Sequence, residues 1–278
     1  MEMYFFLKVF SLYLRNAPTF AYKITYKIIY SLLFHVLKMR QKTVLTNLRW
    51  AFPDKNEEWY NNTMKQCYKF FTKEFLDFIS FPKNYSSSKI KFKNLEVLSS
   101  AHAMKKGIIL VGSHYGSFDK LFYALSQEEY NLTGVAYKQN NRGADIFFKQ
   151  IRENFMEDQL YKGGDVKQLK NSLVKNNILI LLSDQDAKKK GVKAKFFGID
   201  SSTHSGAAIL SKRNKSPIIY ASITSKNNIY EVEFVKINTS GSINDIVQQY
   251  TSEIEKTIIN NPEQYFWFHK RWKSVKAY

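Results

Sequence analysis

Short apolar runs alternate with segments of helical periodicity from residue 107 onward, and this alternation constrains the fold more than any other feature. The predicted strands are residues 107–112, 132–137, 178–183, 217–224 and 230–237. The predicted helices are residues 144–155, 166–175, 205–213 and 244–259, with a further helix that begins at Ser117. Such alternation indicates an α/β fold with a mixed, mostly parallel sheet covered by helices. Ligands in such folds bind at the carboxyl ends of the strands.

The segment after the first predicted strand reads His-Tyr-Gly-Ser-Phe-Asp, an HX4D pattern in which four residues separate an imidazole from a carboxylate. Positions i and i+5 lie about 140° apart on a helix, so His114 is predicted to precede the helix that carries Asp119. Gly112 and Gly116 flank the histidine, where glycine permits a tight turn and close approach of a substrate to the backbone.

This pair of residues has two interpretations. If a carboxylate holds one imidazole nitrogen of His114, the other nitrogen can take a proton from an attacking hydroxyl, which is the chemistry of acyl transfer to an alcohol. In the alternative, His114 is a hydrogen-bonded turn histidine and Asp119 is a first-turn residue favoured by the helix dipole. The spacing alone leaves both interpretations open.

The charge of the chain indicates an anionic partner. A net charge of +18 accompanies 16% aromatic residues, which favours a phosphate-bearing lipid, a nucleic acid or an acidic protein. Most of the excess is lysine and no nucleic-acid motif accompanies it, so a membrane surface is predicted and nucleic acid is not. The alternative is that tracts such as residues 188–190 are simply solvated loops.

The single cysteine, Cys67, excludes an intrachain disulfide and a cysteine cluster for metal. It lies on the apolar stripe of a predicted helix, residues 57–80, where core packing explains it. His35, His102 and His204 have no partners at metal-ligand spacing, and no nucleotide-binding glycine motif occurs. No metal or cofactor is therefore predicted.

Membrane attachment is predicted for the amino-terminal region. Its apolar stretches, residues 3–14 and 20–37, are interrupted by lysines or bounded by polar residues, and neither is an unbroken run of roughly 20 residues that would cross a bilayer. Aromatic residues with lysines at intervals suit helices that lie in the interface. The predicted division is a helical membrane-associating segment, residues 1–53, and one α/β domain, residues 54–278. In the alternative, these helices only cap a soluble core.

Four separated segments carry a further pattern. They are R…V..NL..AFP over residues 40–53, the histidine segment over 112–119, LLSDQD over 181–186 with FFG at 196–198, and NPEQYFWFHKRWK over 261–273. In this order and spacing they resemble the lipid A biosynthesis acyltransferases, the late acyltransferases of bacterial lipopolysaccharide assembly, within the wider glycerolipid acyltransferases. The late acyltransferases commonly have glutamate where this chain has Asp119, whereas the wider group has aspartate.

The resemblance implies an O-acyltransferase at the cytoplasmic face of a bacterial inner membrane, attached monotopically or by a single amino-terminal helix. It would move a fatty acyl group from acyl carrier protein or acyl-CoA to a hydroxyl of a lipid A precursor or a related glycolipid acceptor. The alternatives are an aminolipid or lysophospholipid acceptor, or a non-catalytic basic protein that binds membranes.

The resemblance also implies roles for individual residues. His114 would be the general base and Asp119 would orient it. Arg152 and Asp184 align with family residues that have functional roles, and they are predicted to bind substrate with Gly112 and Gly116. The alternatives are a surface salt bridge for Arg152 and a loop-holding role for Asp184. His269, Arg271 and Trp272 are predicted to be structural or to lie near the membrane.

Overall fold

The computed structural model describes residues 1–86, 89–226 and 229–278. The helices are α1 Glu2–Asn16, α2 Thr19–Ser31, α3 Gln41–Ala51, α4 Glu57–Ile79, α5 Leu95–Ala103, α6 Phe118–Gln127, α7 Arg142–Arg152, α8 Val166–Val174, α9 Gly206–Asn214 and α10 Ile243–Asn260. The strands are β1 Ile90–Lys93, β2 Ile108–Gly112, β3 Leu132–Ala136, β4 Asp158–Tyr161, β5 Ile178–Leu182, β6 Val192–Phe196, β7 Ile199–Thr203, β8 Ile218–Lys226 and β9 Ile229–Ile237.

Seven of these strands form one sheet in the order β1-β9-β8-β2-β5-β3-β4. Every neighbouring pair in it is parallel except β8 and β9, which are antiparallel. Strands β6 and β7 form a separate antiparallel hairpin. The predicted α/β class, with a mixed and mostly parallel sheet covered by helices, is confirmed.

The central strand β2 shows why the sheet needs helices on both faces. All five of its residues are buried, as expected for a parallel strand in the middle of a covered sheet. Ile109 and Val111 belong to one core cluster, whereas Ile108 and Leu110 belong to the other. Because successive side chains of a strand point to opposite faces, the two clusters lie on the two sides of the sheet.

Helix α4 contributes to both clusters. Asn56 caps its amino terminus by accepting a hydrogen bond from the backbone N–H of Trp59, which satisfies one of the free donors of the first turn. Cys67 lies fully buried in the middle of this helix, and burial raises the pKa of its thiol. The prediction that this cysteine belongs to the core is confirmed.

The amino-terminal helices pack on the domain with one face and expose apolar side chains on the other. In α1, Leu7 and Leu14 are buried, and the Ser11 hydroxyl donates to the carbonyl of Ile79 at 2.6 Å. The large exposed apolar residues of α1 and α2 include Phe5, Phe6, Val9, Leu12, Phe20, Ile24 and Ile28. None of the helices in the described segments combines the length and the apolar character needed to cross a membrane. The division of the chain at residue 53 stays a prediction.

Candidate active site

The site forms where β2 and β5 end side by side. These strands are parallel neighbours, and Gly112 at the end of β2 pairs with Leu182 at the end of β5. The pairing continues one step further, since the backbone N–H of Ser183 donates to the carbonyl of Gly112 at 3.0 Å. His114 and Asp184 each follow two residues after their strand, so the sheet register brings them together.

His114 and Asp184 form a hydrogen-bonded pair in which Nδ1 of the imidazole lies 2.9 Å from Oδ1 of the carboxylate. Asp184 is buried while His114 is partly exposed. Burial opposes ionisation of Asp184, but the adjacent imidazole lowers the pKa of that carboxyl below its usual value by charge and by hydrogen bonding. An ionised carboxylate at Nδ1 keeps the proton there, and Nε2 is left as the basic nitrogen.

The side-chain amide of Gln185 faces that basic nitrogen. Its Nε2 lies 3.5 Å from Nε2 of His114, and an amide NH2 group only donates, so the imidazole nitrogen accepts. The sequence analysis missed Gln185, although its place beside Asp184 after a buried strand was the signal available.

The hydrogen-bond partner of His114 differs from the predicted Asp119. Among the described residues, the carboxylate that orients His114 is that of Asp184, whereas the carboxyl group of Asp119 accepts a hydrogen bond from the hydroxyl of Tyr85. Asp119 lies in the first turn of α6, where its side chain is buried. Burial raises its pKa to about 7, with Glu74 and Asp77 adding to the rise and Lys120 opposing it. Asp119 is thus a buried carboxyl group bonded to Tyr85, and its catalytic role stays a prediction.

The loop that carries His114 is fastened to the carboxyl-terminal segment. The carbonyl of His114 accepts from the backbone N–H of Phe266 at 2.9 Å, and the N–H of Gly116 donates to the carbonyl of Gln264 at 2.8 Å. Between them, Tyr115 and Tyr265 form an antiparallel bridge. Residues 264–266 thus set the position of the imidazole from outside the sheet.

Gly116 is needed for a steric reason in this loop. Its φ is +60°, and a Cβ atom there would lie 1.7 Å from the carbonyl oxygen of Ile223. Gly112 has no such strain, and its Cβ would lie 3.1 Å from Cδ2 of Leu182. Neither glycine lines the cavity of about 540 Å³ that His114 faces. Direct contact of these two residues with substrate therefore stays a prediction.

His114 opens onto a cavity of about 540 Å³, within the size range of small-molecule sites. Part of its lining is apolar: Phe118, Phe122, Val135, Met156, Leu160, Leu169, Ile180, Leu181, Leu182, Ala207 and Leu210. Its polar lining includes His114, Gln185, Arg152, Lys162 and His204. The cavity can hold a long apolar group with one end beside the basic nitrogen of His114.

Arg152 lines this cavity, as its predicted role in substrate binding requires. Its Nε donates to the side-chain oxygen of Gln159 at 2.8 Å. In the described part of the chain it forms no ion pair, and the Glu153 carboxylate bonds to Lys149 at 3.6 Å. The structure therefore does not support the alternative in which Arg152 forms a surface salt bridge. Contact of Arg152 with substrate stays a prediction.

The carboxyl-terminal motif has a structural role. Arg271 is buried and donates to the carbonyl of Ser202 at 2.9 Å and to the hydroxyl of Thr203 at 2.7 Å, which holds strand β7. Nε2 of His269 accepts from the backbone N–H of Asp186 at 3.3 Å, and Trp272 is fully buried. The structural interpretation of these three residues is confirmed.

No group of three or more histidine, cysteine, aspartate or glutamate side chains in residues 1–86, 89–226 and 229–278 is arranged to hold a metal ion. The residues at the cavity instead offer a base, hydrogen-bond donors and an apolar interior.

Comparison with known proteins identifies the family. The family model described as bacterial lipid A biosynthesis acyltransferase matches residues 2–274. No curated protein matches the chain. The family match covers nearly the whole chain, so the resemblance carried by the four sequence segments is confirmed.

Proposed function

Because the chain belongs to the bacterial lipid A biosynthesis acyltransferases, we propose that it moves a fatty acyl group to a hydroxyl of a lipid A precursor or a related glycolipid. The acyl donor is a thioester of acyl carrier protein or coenzyme A. The observation that carries this proposal is the hydrogen-bonded pair of His114 and Asp184 at the opening of a partly apolar cavity.

The reaction begins when the acceptor hydroxyl displaces the Gln185 amide from Nε2 of His114. The imidazole takes the hydroxyl proton as the oxygen attacks the thioester carbonyl, and Asp184 stabilises the resulting imidazolium. When the tetrahedral intermediate collapses, the carbon–sulfur bond breaks and the thiolate takes the proton from Nε2. The products are an ester and a free thiol, and the base is restored without a covalent enzyme intermediate.

The apolar part of the cavity suits the fatty acyl chain. Each methylene that leaves water contributes about 0.8 kcal/mol, so a chain lying among residues such as Phe122, Ile180 and Leu210 gains binding energy along its length. This energy holds the thioester carbon beside His114, which converts an encounter of two molecules into a reaction within one complex.

Two observations support a membrane setting for this reaction. The exposed apolar residues of α1 and α2 form surface without a described partner, and lysines such as Lys8 and Lys23 lie among them. The net charge of +18 favours contact with anionic headgroups. Monotopic attachment to the cytoplasmic face of the inner membrane would place the cavity near both the lipid acceptor and the soluble donor.

The test is mass spectrometry of total lipid from a host that lacks its own late acyltransferases and expresses either the wild-type chain or His114→Ala. An added hydroxyl-linked acyl group on a lipid A species, seen with wild type alone, is the expected result. Lys170→Met, at an exposed position of α8, serves as a control that should retain the product.

Other results would correct different parts of the proposal. If an aminolipid or a lysophospholipid gains the acyl group instead, the reaction stands and the acceptor is wrong. In a third outcome, wild type and His114→Ala give the same lipid profile and His114→Ala keeps the cellular function of wild type. The protein is then a non-catalytic basic membrane-binding protein.

A further inference from the structure

The cavity has a second polar region, at the carboxyl ends of β3 and β4. These strands are parallel neighbours in the same sheet as β2, so the residues that follow them reach the edge where His114 lies. Lys162 follows β4, and its backbone N–H donates to the carbonyl of Ala136 at 2.9 Å. Tyr137 follows β3, and both side chains line the cavity.

The ammonium group of Lys162 contacts uncharged side chains. Its Nζ lies 3.0 Å from Nε2 of His204 and 4.5 Å from the ring centre of Tyr137. Burial, together with the nearby charges of Lys162 and Arg271, lowers the pKa of His204 to about 4. His204 is therefore neutral at pH 7, and the ammonium donates to it. In the described segments Lys162 forms no ion pair with a carboxylate.

A second cation with neutral partners lines the same cavity. Arg152 donates to the amide oxygen of Gln159. The acidic residue of the cavity lining, Asp165, is occupied as the cap of α8, where it accepts from the N–H of Lys167 at 2.8 Å. The nearby carboxylate of Asp145 accepts from the N–H of Gln139 and the hydroxyl of Tyr161. Among the described residues, Arg152 and Lys162 thus line one cavity and neither forms an ion pair with a carboxylate.

We propose that Lys162, positioned by His204, forms with Arg152 a subsite for a phosphate ester of the substrate. An ammonium and a planar guanidinium are the side chains that bind phosphate by charge-assisted hydrogen bonds. The inference rests on the proposed function, in which two substrates carry such a group. One is the phosphopantetheine phosphate of the donor, and the other is a sugar phosphate of the acceptor.

Steady-state kinetics with four substrate pairs tests the subsite and distinguishes its two sources. The donors are an acyl phosphopantetheine and the corresponding acyl pantetheine, which lacks the phosphate. The acceptors are a phosphorylated lipid A precursor and its dephosphorylated form. Hydrogen bonds to charged groups contribute about 1.5 to 3 kcal/mol, so the wild type should prefer one phosphorylated partner by about 10-fold to 100-fold in kcat/KM.

Lys162→Met should reduce that preference to about threefold or less, with its effect mainly on KM. The matched control is Lys170→Met, which removes the same charge from a position outside the cavity lining and should retain the full preference. His204→Gln keeps an acceptor for the ammonium, whereas His204→Phe removes it. The glutamine variant should therefore retain more of the preference than the phenylalanine variant.

Each outcome of these measurements leads to a different conclusion. Loss of the donor preference in Lys162→Met assigns the subsite to the donor phosphate, and loss of the acceptor preference assigns it to the acceptor phosphate. If the wild type transfers acyl groups and Lys162→Met keeps every preference of the wild type, the subsite is wrong and the proposed function stands. A wild type that transfers no acyl group to any of the acceptors would instead contradict the proposed function and the subsite with it.

Discussion

The hydroxyl of Tyr85 donates a hydrogen bond to the carboxyl group of Asp119, so this carboxyl group is engaged inside the core. The imidazole of His114 has Asp184 as its carboxylate partner, although 70 positions separate them in the chain. The hydrogen-bond partner of the imidazole is thus a residue that follows the neighbouring strand β5, and the two carboxylates should respond differently to substitution.

Asp184→Asn should lower kcat by about ten-thousandfold, because an amide no longer fixes the imidazole tautomer or stabilises the imidazolium. Asp119→Asn keeps a hydrogen-bonding group beside Tyr85 and should lower kcat by less than about tenfold. Release of free thiol from an acyl thioester donor measures both. The assigned roles would be reversed if Asp119→Asn lost more activity than Asp184→Asn in folded protein.

The stability of the protein should fall as pH rises from about 4 to about 7, because of Asp119. Its pKa is raised to about 7 in the folded chain, whereas an aspartate in an unfolded chain releases its proton near pH 3.9. Between these two pH values the folded state holds a proton that the unfolded state has released. The resulting stabilisation of the folded state, up to about 4 kcal/mol, is therefore present below about pH 4 and is lost as the pH rises through about 7.

Denaturant titrations at pH 5.5 and pH 8 measure this dependence. Wild type should lose stability between the two values relative to Asp119→Asn, whose amide does not titrate. Asp200→Asn, which removes a carboxylate from an exposed ion pair with Lys193, should keep the slope of the wild type. An equal slope in wild type and Asp119→Asn would show that the carboxyl group ionises normally.

Lys120→Met should destabilise the fold by about 3 to 5 kcal/mol. It removes the buried cation from Glu74 and Asp77 and leaves the partly exposed Lys73 as the ammonium that faces both carboxylates. The Lys120 ammonium lies 2.7 Å from Oε2 of Glu74 and 2.9 Å from Oδ2 of Asp77, and all three side chains are buried. The matched control is Lys193→Met, which breaks an exposed pair and should leave the unfolding midpoint almost unchanged. Equal effects of the two substitutions would contradict the predicted importance of burial.

Gly116→Ala should reduce both stability and activity. The positive φ costs roughly 1 to 2 kcal/mol, and the new Cβ would require movement of the Ile223 backbone, which displaces the His114 loop. Gly206→Ala is the control, because a Cβ there meets nothing within 4 Å and alanine is the better helix former. The thermal unfolding of the two variants should diverge. The thioester turnover of Gly116→Ala is compared with that of wild type, because Gly206 itself lines the cavity. Similar values for both would mean that the loop tolerates a side chain at residue 116.

The sequence predicted the central part of the sheet well, because strands such as β2 and β5 are unbroken apolar runs that admit few alternatives. It missed β4, whose residues Asp-Gln-Leu-Tyr are half polar and lie at the sheet edge. It also missed the hairpin of β6 and β7, where the alternation of lysine, serine and apolar residues is short.

The sequence likewise predicted some residues of the site and missed others. His114 and Asp184 were placed at strand ends from the sequence, and the structure has them there. The structure pairs His114 with Asp184 and not with Asp119, because the register of two parallel strands outweighs closeness along the chain. A catalytic role for Asp119 stays a prediction. The sequence does not predict Lys162 and His204 as neighbours, since their contact joins the residue after β4 to the residue after β7. Neither of these strands is predicted from the sequence.

The hydrogen bonds between residues 114–116 and 264–266 can form only late in the synthesis of the chain. A ribosome completes the sheet strands long before it reaches the segment that fastens the histidine loop. A nascent chain whose residues 264–266 are still in the exit tunnel lacks the hydrogen bonds that fasten the histidine loop. We expect such a chain to hold the imidazole of His114 less firmly than a chain in which these bonds have formed.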